Sequence, residues 1–294
     1  MVVLTWGMIA AGVVALVAGL ALVRGRLVGT SGVRRVLVLG PVFEGVALAM
    51  FAAEHFLDAR DLMGIVPKWL PGHLFWTYFV GVALLAAAVS FLAWRCVRWS
   101  GCLLALLFLI IVVTIDLPGL PKGLHNRIFW TLTFRETMFA AGAMVLAGSV
   151  WRRGAAVGRG LMAVGRSIVA ATFVFYGVEH FVFPRNVVGV PLEKMTPAWI
   201  LAPMVIAYFV GAVLVVAGVG LMVPRMRQRA AALAGSVLVL VVIFFYGPIL
   251  IAQMGTPLAL EGVNYFGDTL LFAGTALLAG FSAELVERVG VPRG

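Results

Sequence analysis

Nine apolar runs dominate this chain, at residues 2–23, 36–57, 74–94, 101–115, 134–150, 167–183, 198–223, 230–251 and 268–285. A helix needs about 20 apolar residues to cross the hydrocarbon of a bilayer. Within lipid, backbone N–H and C=O groups find no partner except inside a helix or a closed barrel. The runs at 101–115 and 134–150 are short and are expected to extend or tilt. The expected fold class is therefore all-α, a polytopic transmembrane helical bundle with nine spans. Composition leaves little else open. Hydrophobic residues make up 63% of the 294 and charged residues 12%, with mean hydropathy +1.10. A water-soluble domain needs about a quarter of its residues charged to clothe its surface.

Charge fixes an expected orientation. Arg24, Arg26, Arg34, Arg35, Arg95, Arg98, Arg152, Arg153, Arg159, Arg166, Arg225, Arg227, Arg229, Arg288 and Arg293 fall on one side of the runs. Arg60, Lys68, Lys122, Arg127, Arg135, Arg185 and Lys194 fall on the other. The positive-inside bias puts the first group in the cytoplasm, so the N-terminus is expected outside and the C-terminus inside. The net charge of +10 follows from these topogenic clusters, and no nucleic acid is expected as a partner. The first run is longer than a signal-peptide core, and its arginines follow it, so it reads as an uncleaved span. Cys96 and Cys102 flank one short loop without a CxxC spacing and read as ordinary thiols.

The most informative feature is an internal repeat. Glu54-His55-Phe56 with Arg60 and Gly64 aligns with Glu179-His180-Phe181 with Arg185 and Gly189. Tyr78-Phe79-Val80-Gly81 then matches Tyr208-Phe209-Val210-Gly211, and Glu136-Thr137 matches Asp268-Thr269. The expected organisation is an extra N-terminal span with its basic loop (1–33) and two four-helix units (34–151 and 152–294). Four crossings return a chain to its starting side, so the units would form a parallel repeat.

Ionisable residues within spans are costly and often functional. Here Glu54, His55 and Asp58 end the second run, and Glu179 and His180 end the sixth. Arg135 and Glu136 are expected to begin the fifth helix and Asp268 the ninth, all towards the extracytoplasmic leaflet. Glu44 lies deeper. It stands 11 residues before His55, about three turns and about 16 Å, which predicts a shared face. His55 and Asp58, three apart, could touch. The units have diverged: Val169 takes the place of Glu44, Phe183 that of Asp58, and Tyr176 that of Phe51.

A carboxylate beside an imidazole can bind a carbonyl ligand, relay protons or hold a metal. Adjacent Glu and His point about 100° apart on a helix, unlike the Glu-x-x-His of di-iron bundles, so no metal is expected. The plainer alternative is that Glu54, His55, Glu179 and His180 pair with Arg135, Asp268 or backbone carbonyls and lock helices together. The segments 58–73 and 184–199, rich in Pro and Trp, read either as interfacial lids over an outer site or as aromatic anchors.

The Glu-His-Phe helix end, the segment Gly64-Ile65-Val66-Pro67-Lys68-Trp69-Leu70-Pro71 and the Tyr-Phe-Val-Gly opening resemble the DoxX-like family of four-helix bacterial membrane proteins. Two fused units would cover about residues 34–286, although Trp-Leu-Pro is not reproduced in the second. The family includes the membrane subunit of thiosulfate:quinone oxidoreductase. The resemblance implies the bacterial inner membrane and a quinone-linked role, with quinone as the possible cofactor and another redox or membrane subunit as partner. It supplies no catalytic residue. The sequence contains no haem, flavin or iron–sulfur motif. Two further classes stay open, a small-solute transporter working through Glu44 and a non-enzymatic assembly subunit.

Overall fold

A computed structural model describes residues 2–151, 155–190, 192–288 and 290. Arg152, Arg153, Pro191 and Arg293 lie outside the described residues. The chain is a bundle of helices: α1 (Val2–Val28), α2 (Val33–Leu37), α3 (Gly40–Leu57), α4 (Ala59–Leu62), α5 (His73–Ala93), α6 (Val97–Ile111), α7 (Leu117–Gly119), α8 (Arg127–Ser149), α9 (Ala156–Val182), α10 (Pro203–Met222), α11 (Arg227–Val241), α12 (Gly247–Gln253), α13 (Ala259–Leu278) and α14 (Ala283–Arg288). Among the described residues there is no strand beyond one isolated antiparallel bridge, Asn186 with Met195.

Seven helical stretches are long and apolar enough to cross a membrane: Val2–Val28, Val33–Leu57, His73–Ala93, Val97–Gly119, Ala156–Val182, Pro203–Met222 and Arg227–Gln253. Two of them run through a single π turn, Val112–Asp116 between α6 and α7 and Val242–Tyr246 between α11 and α12. The helices α8 and α13 are as long but carry Arg135, Glu136, Glu261 and Asp268. They sit inside the bundle, where α13 packs against both α3 and α8.

Around that centre, α1 and α5 flank α3, α6 and α9 flank α8, and α10 and α11 complete the ring against α9 and α13. The outward faces of α5, α6 and α10 expose Phe75, Phe79, Val82, Leu85, Leu103, Leu106, Ile110, Val205, Phe209 and Val216. So much contiguous apolar surface is unstable in water and marks a membrane-facing belt.

Among the described residues, members of the two basic groups read from sequence gather in two separate places. In one, Arg26 lies over Trp94, Arg98 lies over Trp99 and Trp151, and Arg166 donates to the Ala279 and Phe281 carbonyls at the C-terminus of α13. In the other, Arg127 donates to the Leu192 carbonyl and Lys194 pairs with Glu261 at 2.7 Å. This second place carries the polar layer described next.

Candidate functional site

The helices that carry the charged residues start earlier than hydropathy predicts. Arg135 and Glu136 were expected to open the fifth helix and Asp268 the ninth; instead α8 begins at Arg127 and α13 at Ala259. Asn126 caps α8 by accepting from the Ile128 N–H. The charged residues therefore lie a little over two turns inside the bundle. There they satisfy one another. Arg135 Nη1 donates to Asp268 Oδ2 at 2.7 Å, while Nε and Nη2 donate to Glu136 Oε1 at 3.0 and 2.7 Å. One guanidinium thus ties α8 to α13. Its planar fork suits two carboxylates at once. Asp116, at the end of the first π turn, is within electrostatic reach of Glu136 and Arg135, and its Oδ2 is buried without a partner.

Both Glu-His glutamates are buried and bonded across helices. Asn264 Nδ2 on α13 donates to Glu54 Oε1 at 2.9 Å. Thr131 Oγ1 on α8 donates to Glu179 Oε2 at 3.0 Å, and Arg127 Nη1 stands 3.6 Å from the same oxygen. Beside Arg127 an open hollow of about 670 Å³ is lined by Leu124, His125, Phe183 and Glu193 among others.

The histidines differ. In both, Nδ1 meets the carbonyl one turn earlier, Phe51 at 2.8 Å from His55 and Tyr176 at 2.5 Å from His180. A carbonyl only accepts, so Nδ1 carries the proton in each. His180 Nε2 then accepts from the Gly189 N–H at 2.9 Å. Tyr246 donates its hydroxyl to the Val188 carbonyl at 2.6 Å, so a single peptide unit is held from both sides. Gly189 has φ +91°, a left-handed conformation that glycine adopts without a Cβ penalty. Around it Val187, Val188, Val190 and Leu192 are buried, and Thr196 donates to the Asn186 carbonyl. The segment is a folded plug. Tyr176 closes it below by donating to the Thr131 carbonyl at 2.7 Å.

At His55 no such plug is present. Its Nε2 has no hydrogen-bond partner among the described residues, and the ring is only part-buried. The following segment forms α4 and a 3-10 turn, Met63–Ile65, with Ile65 59% and Trp69 70% exposed. Trp76 Nε1 donates to the Pro71 carbonyl, which fixes the loop's end. The possible contact of His55 with Asp58 does not form. Helix α3 stops at Leu57, and Asp58 turns out of helical geometry towards Asp61. Partial burial and the Asp61 carboxylate hold the Asp58 carboxyl above its ordinary value.

The face expected to join Glu44 and His55 meets two different neighbours, because crossing helices diverge with depth. Glu44 faces α13, where the Thr275 hydroxyl lies 3.2 and 3.4 Å from its two oxygens. A Cβ on Gly274 would sit 2.7 Å from the Glu44 nitrogen, so only glycine permits this approach. His55 lies instead against Gly81 of α5.

Asp116, Asn264 and Tyr246 were missed from sequence. Asp116 directly follows an apolar run that ends at Ile115. Tyr246 sits mid-run and looked like core. A shared end-of-π-turn position links them, and no local sequence cue announces a π turn.

Residues 45–117 match the profile of a family described as Domain of unknown function (DUF8561). The match runs from α3 through the first π turn and includes His55 and Asp116. No curated protein and no solved structure matches the chain.

Proposed function

We propose that this chain is a nine-span protein of the bacterial inner membrane, with its N-terminus outside and its C-terminus in the cytoplasm. It is built from two DoxX-like four-helix units, 34–151 and 152–294, behind one extra helix. It acts as a quinone-linked accessory subunit of a respiratory or redox complex and binds a quinone-type head group at the outer polar layer of the first unit. The observation that carries the reading is His55, an imidazole whose Nε2 has no hydrogen-bond partner among the described residues, beside the buried Glu54–Asn264 pair. The Arg135–Glu136–Asp268 network on α8 and α13 lies in the same layer. A quinone head group needs hydrogen bonds, a proton route and apolar walls, and these residues supply them. Electrons pass to or from a partner subunit. The paired π turns and the gathering of basic residues in two separate places support the two-unit reading and its orientation.

The test is to purify the protein in mild detergent, extract it and quantify quinones by mass spectrometry. Quinone near one per chain, lost in His55→Ala with unfolding temperature unchanged, is the expected result. Quinone no higher than in an unrelated membrane protein overturns it. A second reading, a small-solute transporter, is favoured by Glu44 alone. It is fully buried at mid-depth with Thr275 as its hydrogen-bond partner. Uptake into vesicles that is unchanged in Glu44→Gln would eliminate that route.

A further inference from the structure

The second unit shows what fits the first. In the second unit His180, Tyr246 and Thr269 surround one peptide; by sequence and π-turn position their counterparts in the first unit are His55, Asp116 and Thr137. In the second unit all three are buried, and the Val188–Gly189 peptide lies among them. Gly189 N–H bonds His180, the Val188 carbonyl bonds Tyr246, and a Cβ on Gly189 would fall 3.0 Å from Thr269 Cγ2. In the first unit all three are part-exposed. The corresponding chain, Met63-Gly64-Ile65, stays outside, with Met63 38% exposed against 0% for Val188. Two acceptors of the first unit lack donors among the described residues, His55 Nε2 and the buried Asp116 Oδ2. The tautomer matters. Phe51 takes the Nδ1 proton, so Nε2 of the neutral ring offers a lone pair.

We propose that this outer site accepts its ligand through O–H or N–H donors, so that within the quinone-type class it takes the reduced, dihydroxy form. The ligand occupies the space that the Val188–Gly189 peptide fills in the second unit. The proposal rests on the quinone-type reading above and adds its redox state. A quinone carbonyl is an acceptor and would face two acceptors. A quinol hydroxyl donates to His55 as the Gly189 N–H donates to His180. A site built to bond a hydroxyl rejects the analogue lacking it far more strongly than a merely apolar pocket does.

The experiment uses the full chain in nanodiscs under anaerobic conditions. It measures binding of a short-chain quinol, its oxidised quinone and its dimethyl ether, each against protein-free nanodiscs. The quinol is expected to bind about tenfold or more tighter than the other two. His55→Ala should reduce quinol binding to the level of the ether. Asp116→Asn, which turns an acceptor into a group that can also donate, should narrow the preference for quinol. Equal binding of all three forms, or a preference for the quinone, overturns the donor inference and leaves the quinone-type site standing. No form binding above empty nanodiscs overturns the site itself. Those two failures are therefore distinct.

Discussion

Two places in the bundle, Glu54-His55 on α3 and Glu179-His180 on α9, carry the same Glu-His pair and use it differently. In the second half, His180 has both ring nitrogens bonded and is 2% exposed. It works as a staple, pinning a folded segment to α9. In the first half, His55 makes among the described residues only the bond to its own helix, and the segment after it lies out over the surface. The same two residues can thus be structural or available. What decides is whether a donor reaches Nε2, and that depends on a loop more than on the helix.

The sharpest way to break this comparison is through charge. Arg135→Ala removes the one cation between Glu136 and Asp268. Leaving buried carboxylates without their partner costs about 3–5 kcal/mol. The expected result is a large fall in unfolding temperature in detergent or failure to accumulate. Arg127→Ala removes a looser pair with the buried Glu179 at 3.6 Å and the bond to the Leu192 carbonyl, and should cost less, about 1–3 kcal/mol. Similar losses in the two variants would show that the centre of the bundle does not depend on the α8–α13 tie.

A second contrast concerns the histidines themselves. His180→Ala strands the Gly189 N–H in a buried setting, a cost of about 1–3 kcal/mol. It should also release the plug, read as new protease cleavage within residues 184–199. His55→Ala strands nothing of the kind and should change stability by about 0.5 kcal/mol or less, while abolishing the quinol binding proposed above. If both variants unfold alike, the two places are equally structural and the ligand reading of His55 fails.

Glycines sharpen the loop half of the argument. Gly189→Ala forces a side chain into φ +91° and a Cβ to 3.0 Å from Thr269. The left-handed conformation alone costs about 1–2 kcal/mol. Gly64 has open space around a Cβ, so Gly64→Ala should be nearly neutral. Thermal unfolding of the two single variants decides. A matching loss at Gly64 would mean that the first loop also closes as a plug.

The smallest expected effect is at the π turns. Tyr246→Phe removes the donor to the Val188 carbonyl at 2.6 Å, worth about 1 kcal/mol. Asp116→Asn, with no bond on Oδ2 to lose, should leave stability within about 0.5 kcal/mol. A Tyr246→Phe variant as stable as the parent would remove that hydroxyl from the account of the plug.

Much of the architecture is legible in the sequence because lipid imposes a simple rule on backbone hydrogen bonds. Seven of the apolar runs become helices long and apolar enough to cross a membrane. The runs at 134–150 and 268–285 were misplaced at their outer ends for one reason. Hydropathy penalises Arg135, Glu136 and Asp268 as if they faced lipid, whereas they neutralise one another within the protein.

The amino-acid sequence by itself determined that this chain forms helices in a membrane setting, where its basic clusters gather and which residue pairs correspond. Those properties are local, carried by composition, spacing and the solvent preference of each side chain. The tertiary structure decided which corresponding residues are satisfied. It brought Asp268 to Arg135, Asn264 to Glu54 and Thr275 to Glu44. It also laid a peptide across His180 and left His55 without one. Hydrogen-bond satisfaction is a property of pairs brought together from distant parts of the chain, so it becomes readable only once the helices have packed.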